Sequence, residues 1–154
     1  MHPNGVLLTN LFTALGRHDA AAMAACYREE ASFTDIAFRL SGRRRIHAMW
    51  RMICETDIRA EFEIIHADDR AGRVRLVDDY TFSDTKRPVH NVIDSRFVFR
   101  DGLIAEHIDS CDERLWARQA LGGIKGLLAG RFRFLRARTA SDKLDAFIER
   151  SPEH

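Results

Sequence analysis

The sequence predicts an α+β domain in which a curved antiparallel sheet wraps around helices and leaves a cone-shaped cavity between the layers. Three observations predict it. Apolar residues recur at helical spacing up to residue 54, and strand-like alternation dominates residues 58–110. Asp101-Gly102 then joins two strand patterns as a tight hairpin would. Helices must cover one face of such a sheet, because a sheet buries its apolar face against another layer.

Each element follows in order. Leu8, Leu11, Phe12 and Leu15 lie at i, i+3, i+4 and i+7, and Gly16 breaks that helix. Asp19 is a natural N-cap for a second, Ala-rich helix with Met23, Cys26 and Tyr27 on one side. Ala31 to Ile36 alternates around Phe33 and Asp35 and predicts a short strand. Ser41 can cap a third helix whose apolar stripe is Ile46, Met49, Trp50, Ile53 and Cys54. Four strands are expected at Ile58 to Ala67, Arg73 to Ser83, Val89 to Arg100 and Leu103 to Ser110. Their turns are expected at Ala71-Gly72, Ser83-Asp84 and Asp101-Gly102. Asp112 is placed to cap a short helix carrying Leu115, Trp116 and Ala120, and residues 139–150 predict a last helix.

The chain of 154 residues fits one domain, read here as residues 1–125, followed by a tail or helix at 126–154 that packs on the domain or on a dimer partner. Hydrophobic residues make up 45% and charged residues 31%, which excludes a mainly disordered chain. Lys plus Arg is 24 and Asp plus Glu is 23, so no global charge steers the chain toward nucleic acid or an anionic membrane. Arg118, Lys125, Arg131, Arg133, Arg136 and Arg138 form a basic run interleaved with leucine and phenylalanine. Its polar and apolar residues do not separate by helical face, so packing is expected of it rather than nucleic-acid or membrane binding. The start lacks the pattern of a signal peptide, and no stretch has transmembrane length. Cys26, Cys54 and Cys111 are few and widely spaced, which suggests a reducing, cytoplasmic setting.

Strand phase then selects the ionisable groups that face the cone. Leu103, Ala105, His107, Asp109 and Cys111 share one face, and Val74, Leu76, Asp78, Tyr80 and Phe82 share another. A carboxylate on an apolar face is costly unless paired or protonated, which makes Asp78 and Asp109 informative. His90, Val92 and Asp94 share a face opposite Val89, Asn91 and Ile93, and a bulge near Ser95 would let Asp94 and Phe97 both turn inward. Asp35 sits beside Phe33 at the mouth. The expected site is therefore Asp35, Asp78, Tyr80, His90, Asp94, His107 and Asp109, walled by Phe12, Tyr27, Phe33, Met49, Trp50 and Trp116. Acids gathered in an apolar space are pushed toward neutral pKa values, as general acid–base chemistry requires. His and Asp pairs here lack metal-ligand spacing, so no metal is expected.

Three segments carry a family resemblance: LFTALGRHDAAAMAACYREEASFTDIAF, RRRIHAMWRMICE and RPVHNVIDSRFVFRDGLIAEHIDSCDERLWARQALG. Over about residues 5–121 the chain resembles the nuclear transport factor 2-like superfamily of cystatin-like cones, which includes ketosteroid isomerases, SnoaL-like polyketide cyclases and limonene epoxide hydrolases. The resemblance implies roles residue by residue. Asp35 falls at the proton-shuttling Asp of the isomerases and Asp94 at their oxyanion-hole Asp, while Leu11 stands where those enzymes have a Tyr. Asp109 matches the acid–base Asp of the cyclases and one acid of the hydrolases' Asp-Arg-Asp set. Asp78 aligns with the other acid, and Leu76 stands at the Arg position. The resemblance implies catalysis without cofactor or metal, and a homodimer.

Two functions remain open at this level. One is an enzyme that isomerises, cyclises or opens an epoxide in a small apolar molecule, with Asp109 tuned by His107, and Asp35 or Asp94 as second acid. The other is a non-catalytic ligand-binding or dimerisation module using the same cavity.

Overall fold

The computed structural model describes residues 1–122 and 133–151. Helices α1 (Pro3–Gly16) and α2 (Ala20–Ala24) precede strands β1 (Tyr27–Thr34) and β2 (Arg39–Ser41). Helix α3 (Arg43–Cys54) leads into β3 (Arg59–Ala67), β4 (Ala71–Thr81), β5 (Pro88–Arg100) and β6 (Leu103–Cys111). Helices α4 (Glu113–Leu121) and α5 (Arg133–Arg150) follow.

The six strands form one sheet in the order β2-β1-β6-β5-β4-β3. The sheet is mixed rather than purely antiparallel, because β1 runs parallel to β6. No hairpin joins those two strands, so nothing local in the sequence announces their pairing. Tyr27 begins β1 instead of ending α2. Strand β2 is an addition to the expected elements, and Gly42, not Ser41, precedes α3 with a φ of +95° that glycine tolerates. The turn before β4 is at residues 68–70, where the Asp68 carboxylate accepts from the backbone N–H groups of Arg70 and Ala71. Gly72 thus lies inside β4, where Leu8 and Phe99 press against the space a Cβ would fill.

The core lies between the concave sheet face and the helices. Leu8, Leu11, Phe12 and Leu15 of α1 and Ile46, Met49 and Trp50 of α3 are buried against Val74, Leu76, Ile93, Phe97 and Phe99. Burying each such side chain stabilises the fold by about 1.5–3 kcal/mol. Leu144 and Phe147 bring α5 onto this core, with Arg45–Asp145 and Arg51 to the Ser151 carbonyl as polar ties to α3. The basic run from 118 to 138 falls largely outside the described residues, as does the 125/126 boundary. No helix among the described residues is long and apolar enough to cross a membrane.

Candidate functional site

Strand β4 points Val74, Leu76 and Asp78 inward as its alternation requires, with Tyr80 half-buried beyond them. Its register with β5 fixes the inward set there as Val89, Asn91, Ile93, Ser95, Phe97 and Phe99. The alternation of β5 is unbroken, with no bulge at Ser95, so His90 and Asp94 are carried to the outer face. This corrects the expectation that both face the cone. His90 instead pairs with Asp79 at 2.7 Å, and Asp94 bridges Arg73 and Arg96. The guanidinium of Arg73 holds Asp94 below the ordinary carboxylate range. Neither residue can serve a site on the concave side.

The irregularity sits instead between β5 and β6, at Val98 and Phe99. It turns Ile104 inward in place of Leu103 and Ala105, and still leaves His107 and Asp109 facing in. His107 is fully buried, with Phe97 at 4.3 Å and Phe33 at 4.7 Å between ring centroids.

A chain of hydrogen bonds runs through this ring cluster. Trp50 Nε1–H of α3 donates to Tyr27 Oη of β1 at 3.2 Å. Tyr27 Oη and His107 Nδ1 are 2.8 Å apart, and His107 Nε2 and Asp109 Oδ1 are 2.7 Å apart. The indole is only a donor, so one ordering gives every atom a partner. Tyr27 O–H donates to Nδ1, and Nε2–H donates to Asp109. The relay ties helix to sheet and fixes Asp109, whose side chain is 10% exposed.

Asp35 lies beside Asp109 because the parallel register pairs Thr34 with Ile108. Its Oδ1 accepts from the backbone N–H groups of Ala37 and Phe38 at 2.8 and 2.6 Å. Burial pushes its carboxyl up to about 6 against those two donors, and the Asp109 charge adds to the rise. Asp78 is pushed up to about 8 by burial, then by Asp109 and Asp79. Its Oδ1 atom has no hydrogen-bond partner among the described residues. Tyr80 Oη accepts from Trp116 Nε1–H at 2.7 Å, which docks α4 over the acid-rich end.

The structure therefore gathers Asp35, Asp78, Tyr80, His107 and Asp109 and separates His90 and Asp94 from them. Phe12, Tyr27, Phe33, Met49 and Trp50 are buried together in the core between sheet and helices. Asn91 and Ser95 are additions that sequence reasoning missed. Both carry inward polar side chains, and Ser95 Oγ is buried without a partner among the described residues. Val89, Ile93, Phe97 and Phe99 on the same face point toward them, but Val92 and Val98 compete on the other face, and the register with β4 decides. Among the described residues no group of three His, Cys, Asp or Glu side chains is arranged to hold a metal ion. Two surface depressions lie elsewhere: about 480 Å³ on the outer sheet face beside Arg73, Val92 and Asp94, and about 400 Å³ between α1 and α2.

The open six-stranded sheet backed by helices is a fold class shared with solved nuclear transport factor 2-like and ketosteroid isomerase-like proteins. Within that class, the SnoaL-like domain family matches residues 8–107, and the chain belongs to it. A candidate polyketide cyclase from Xanthomonas campestris has 19% identity and a TM-score of 0.65, over 76% of this chain and 96% of that one. An LEH-like epoxide hydrolase from M. tuberculosis has 20% identity and a TM-score of 0.63, over 83% and 96%. A ketosteroid isomerase-like protein of Catenulispora acidiphila, crystallised with trimethylamine, has 13% identity and a TM-score of 0.64, over 74% and 91%. At these identities the likeness is one of fold. No curated protein matches the sequence significantly.

Proposed function

We propose that this protein binds a small apolar molecule at the acid-lined end of the cone and acts on it by acid–base catalysis of the isomerase, cyclase or epoxide hydrolase type, its own side chains moving the protons. The observation that carries the reading is Asp78. A carboxyl group whose pKa is about 8 is mostly neutral at pH 7, and its Oδ1 has no hydrogen-bond partner among the described residues. It can act as an acid while Asp109, positioned by His107, acts as the base. General acid–base catalysis of this kind contributes roughly 10²–10⁴-fold. Cyclase and epoxide hydrolase names among the similar folds support the same chemistry.

The test is turnover of a panel of small cyclic ketones and epoxides. Wild type should convert at least one compound, and Asp109→Asn should bind it while losing turnover. Activity should fall above about pH 8, as Asp78 ionises. The packed depth of the cone favours a second reading, a non-catalytic ligand-binding module. Wild type that converts nothing yet co-purifies with a bound hydrophobe would establish it.

We also infer a homodimer through the outer sheet face, where Ile65, Val92, Val98 and Ile108 are 39–50% exposed. Sedimentation showing only monomer at micromolar concentration would reject it. The few, widely spaced cysteines Cys26, Cys54 and Cys111 fit a cytoplasmic setting.

A further inference from the structure

Helix α5 lies beyond residues 8–107, the part of the chain that the family model matches. On one side it packs on α3, where Arg45 pairs with Asp145 and the Arg51 guanidinium stands 5.4 Å from the Phe147 ring centroid. On the other side it reaches the turn between β4 and β5. There Lys143 Nζ donates to Asp84 at 2.6 Å and stands 5.9 Å from the Phe82 ring centroid. Phe82 packs edge-on against Trp116 at 5.4 Å, and Trp116 is the donor to Tyr80. The helix therefore spans the gap between the helix layer and the end of β4 that carries Asp78 and Tyr80.

That end is closed to solvent. Asp78 is 9% exposed and His107 is fully buried, so a molecule from solution reaches them only if a wall moves. The strands are cross-bonded, and α4 is tied down by Trp116 to Tyr80 and by Gln119 to both backbone groups of His90. Arg87 and Thr85 also donate to the last carbonyls of α4. Helix α5 is held more lightly. Between residues 140 and 151 only Leu144 and Phe147 are buried. Its ion pairs with Arg45 and Asp84 have side chains 40–54% exposed, where such pairs contribute little. An element with few buried apolar side chains and surface polar ties opens before the body of the fold.

Resting on the reading of that end as a ligand site, we propose that α5 is a strap across it, latched by Lys143 on Asp84 and Phe82, and that the small apolar ligand enters when the strap lifts. Lifting the helix returns Leu144 and Phe147 to water, so the closed form is the resting one. Those two side chains set how rarely the strap opens. The Lys143 latch lies at the surface and is electrostatic, so reversing one of its charges changes the opening frequency without disturbing the core. A strap alters the passage and not the bound state. Entry and exit of a ligand therefore quicken together when the latch is broken, and affinity stays the same.

Hydrogen exchange followed by NMR on the full-length protein tests the strap without a ligand. Backbone amides of residues 140–150 should exchange together, at least about 100-fold faster than those of β4 and β5. The Trp116 indole N–H, bonded to Tyr80 beside the strap, should exchange in step with them. Lys143→Glu sets two acids against each other and should speed both exchanges roughly 2- to 10-fold. Asp84→Lys sets two cations together and should do the same. The double variant restores opposite charges and should return both rates to within about twofold of wild type. Binding and release of the neutral dye Nile red should quicken by the same factor in each single variant, with affinity unchanged. Exchange in α5 as slow as in β4 and β5 would overturn the proposal. So would an indole N–H or dye rates that neither single variant moves. If Lys143→Glu does not fold, Asp84→Lys alone decides. If the indole follows α5 but wild type converts nothing and binds no dye, the ligand-site reading fails and the strap stands. If wild type turns over a substrate while the indole ignores α5, the strap fails and that reading stands.

Discussion

Replacing Asp78 by Asn should make the protein more stable at neutral pH and less so at acid pH relative to wild type. Asp78 is raised from 3.8 to about 8 in the fold. A carboxyl raised in the folded state contributes stability that is fully present below about pH 4 and is lost as the pH climbs through about 8. At pH 7 the fold retains a proton that the unfolded chain has released, over about 3 pH units. At 1.36 kcal/mol each this is about 4 kcal/mol of stability forgone. Asn keeps the shape and removes the titration. Urea denaturation of both proteins at pH 4.5, 6, 7 and 8 isolates the effect, because every other titrating group is common to the pair. The stability difference between the Asp78→Asn variant and wild type should grow in favour of the variant by about 3–4 kcal/mol from pH 4.5 to 7.5. A difference that stays flat would show that Asp78 is ionised in the fold, and the acid assigned to the site would be lost with it.

Other substitutions test the surrounding geometry. His107→Phe keeps a ring among Phe33, Phe97 and Trp50 but strips partners from Tyr27 Oη and Asp109 Oδ1. Urea midpoints should reveal a loss of about 2–5 kcal/mol, and a loss under about 1 kcal/mol would contradict the relay. Asp94→Asn should leave turnover unchanged and stability within about 1 kcal/mol, because its ion pairs with Arg73 and Arg96 lie on the outer face. Lost activity in that variant would place Asp94 in the site after all. Gly72→Ala would set a Cβ 2.8 Å from the Phe99 ring and 2.9 Å from Leu8. Thermal denaturation should show a cost of about 1–3 kcal/mol.

The sequence by itself determined the layered α+β plan, the element types and the inward face of β4. There the apolar residues Val74 and Leu76 alternate with exposed Arg73 and Arg75, and a period of two leaves one choice. It also brought out His107 and Asp109, whose face is marked by the strand they end. Strand β5 could not be read this way. Val92 and Val98 on its outer face compete with Val89, Ile93, Phe97 and Phe99 on the inner one, and only the β4 register decides between them. The relay was equally hidden, since Tyr27 and His107 are 80 residues apart and meet through a parallel pairing without a hairpin. The proton on Asp78 is a tertiary property as well. It follows from water excluded by packed neighbours and from a carboxylate on another strand, neither of which a local stretch of sequence contains.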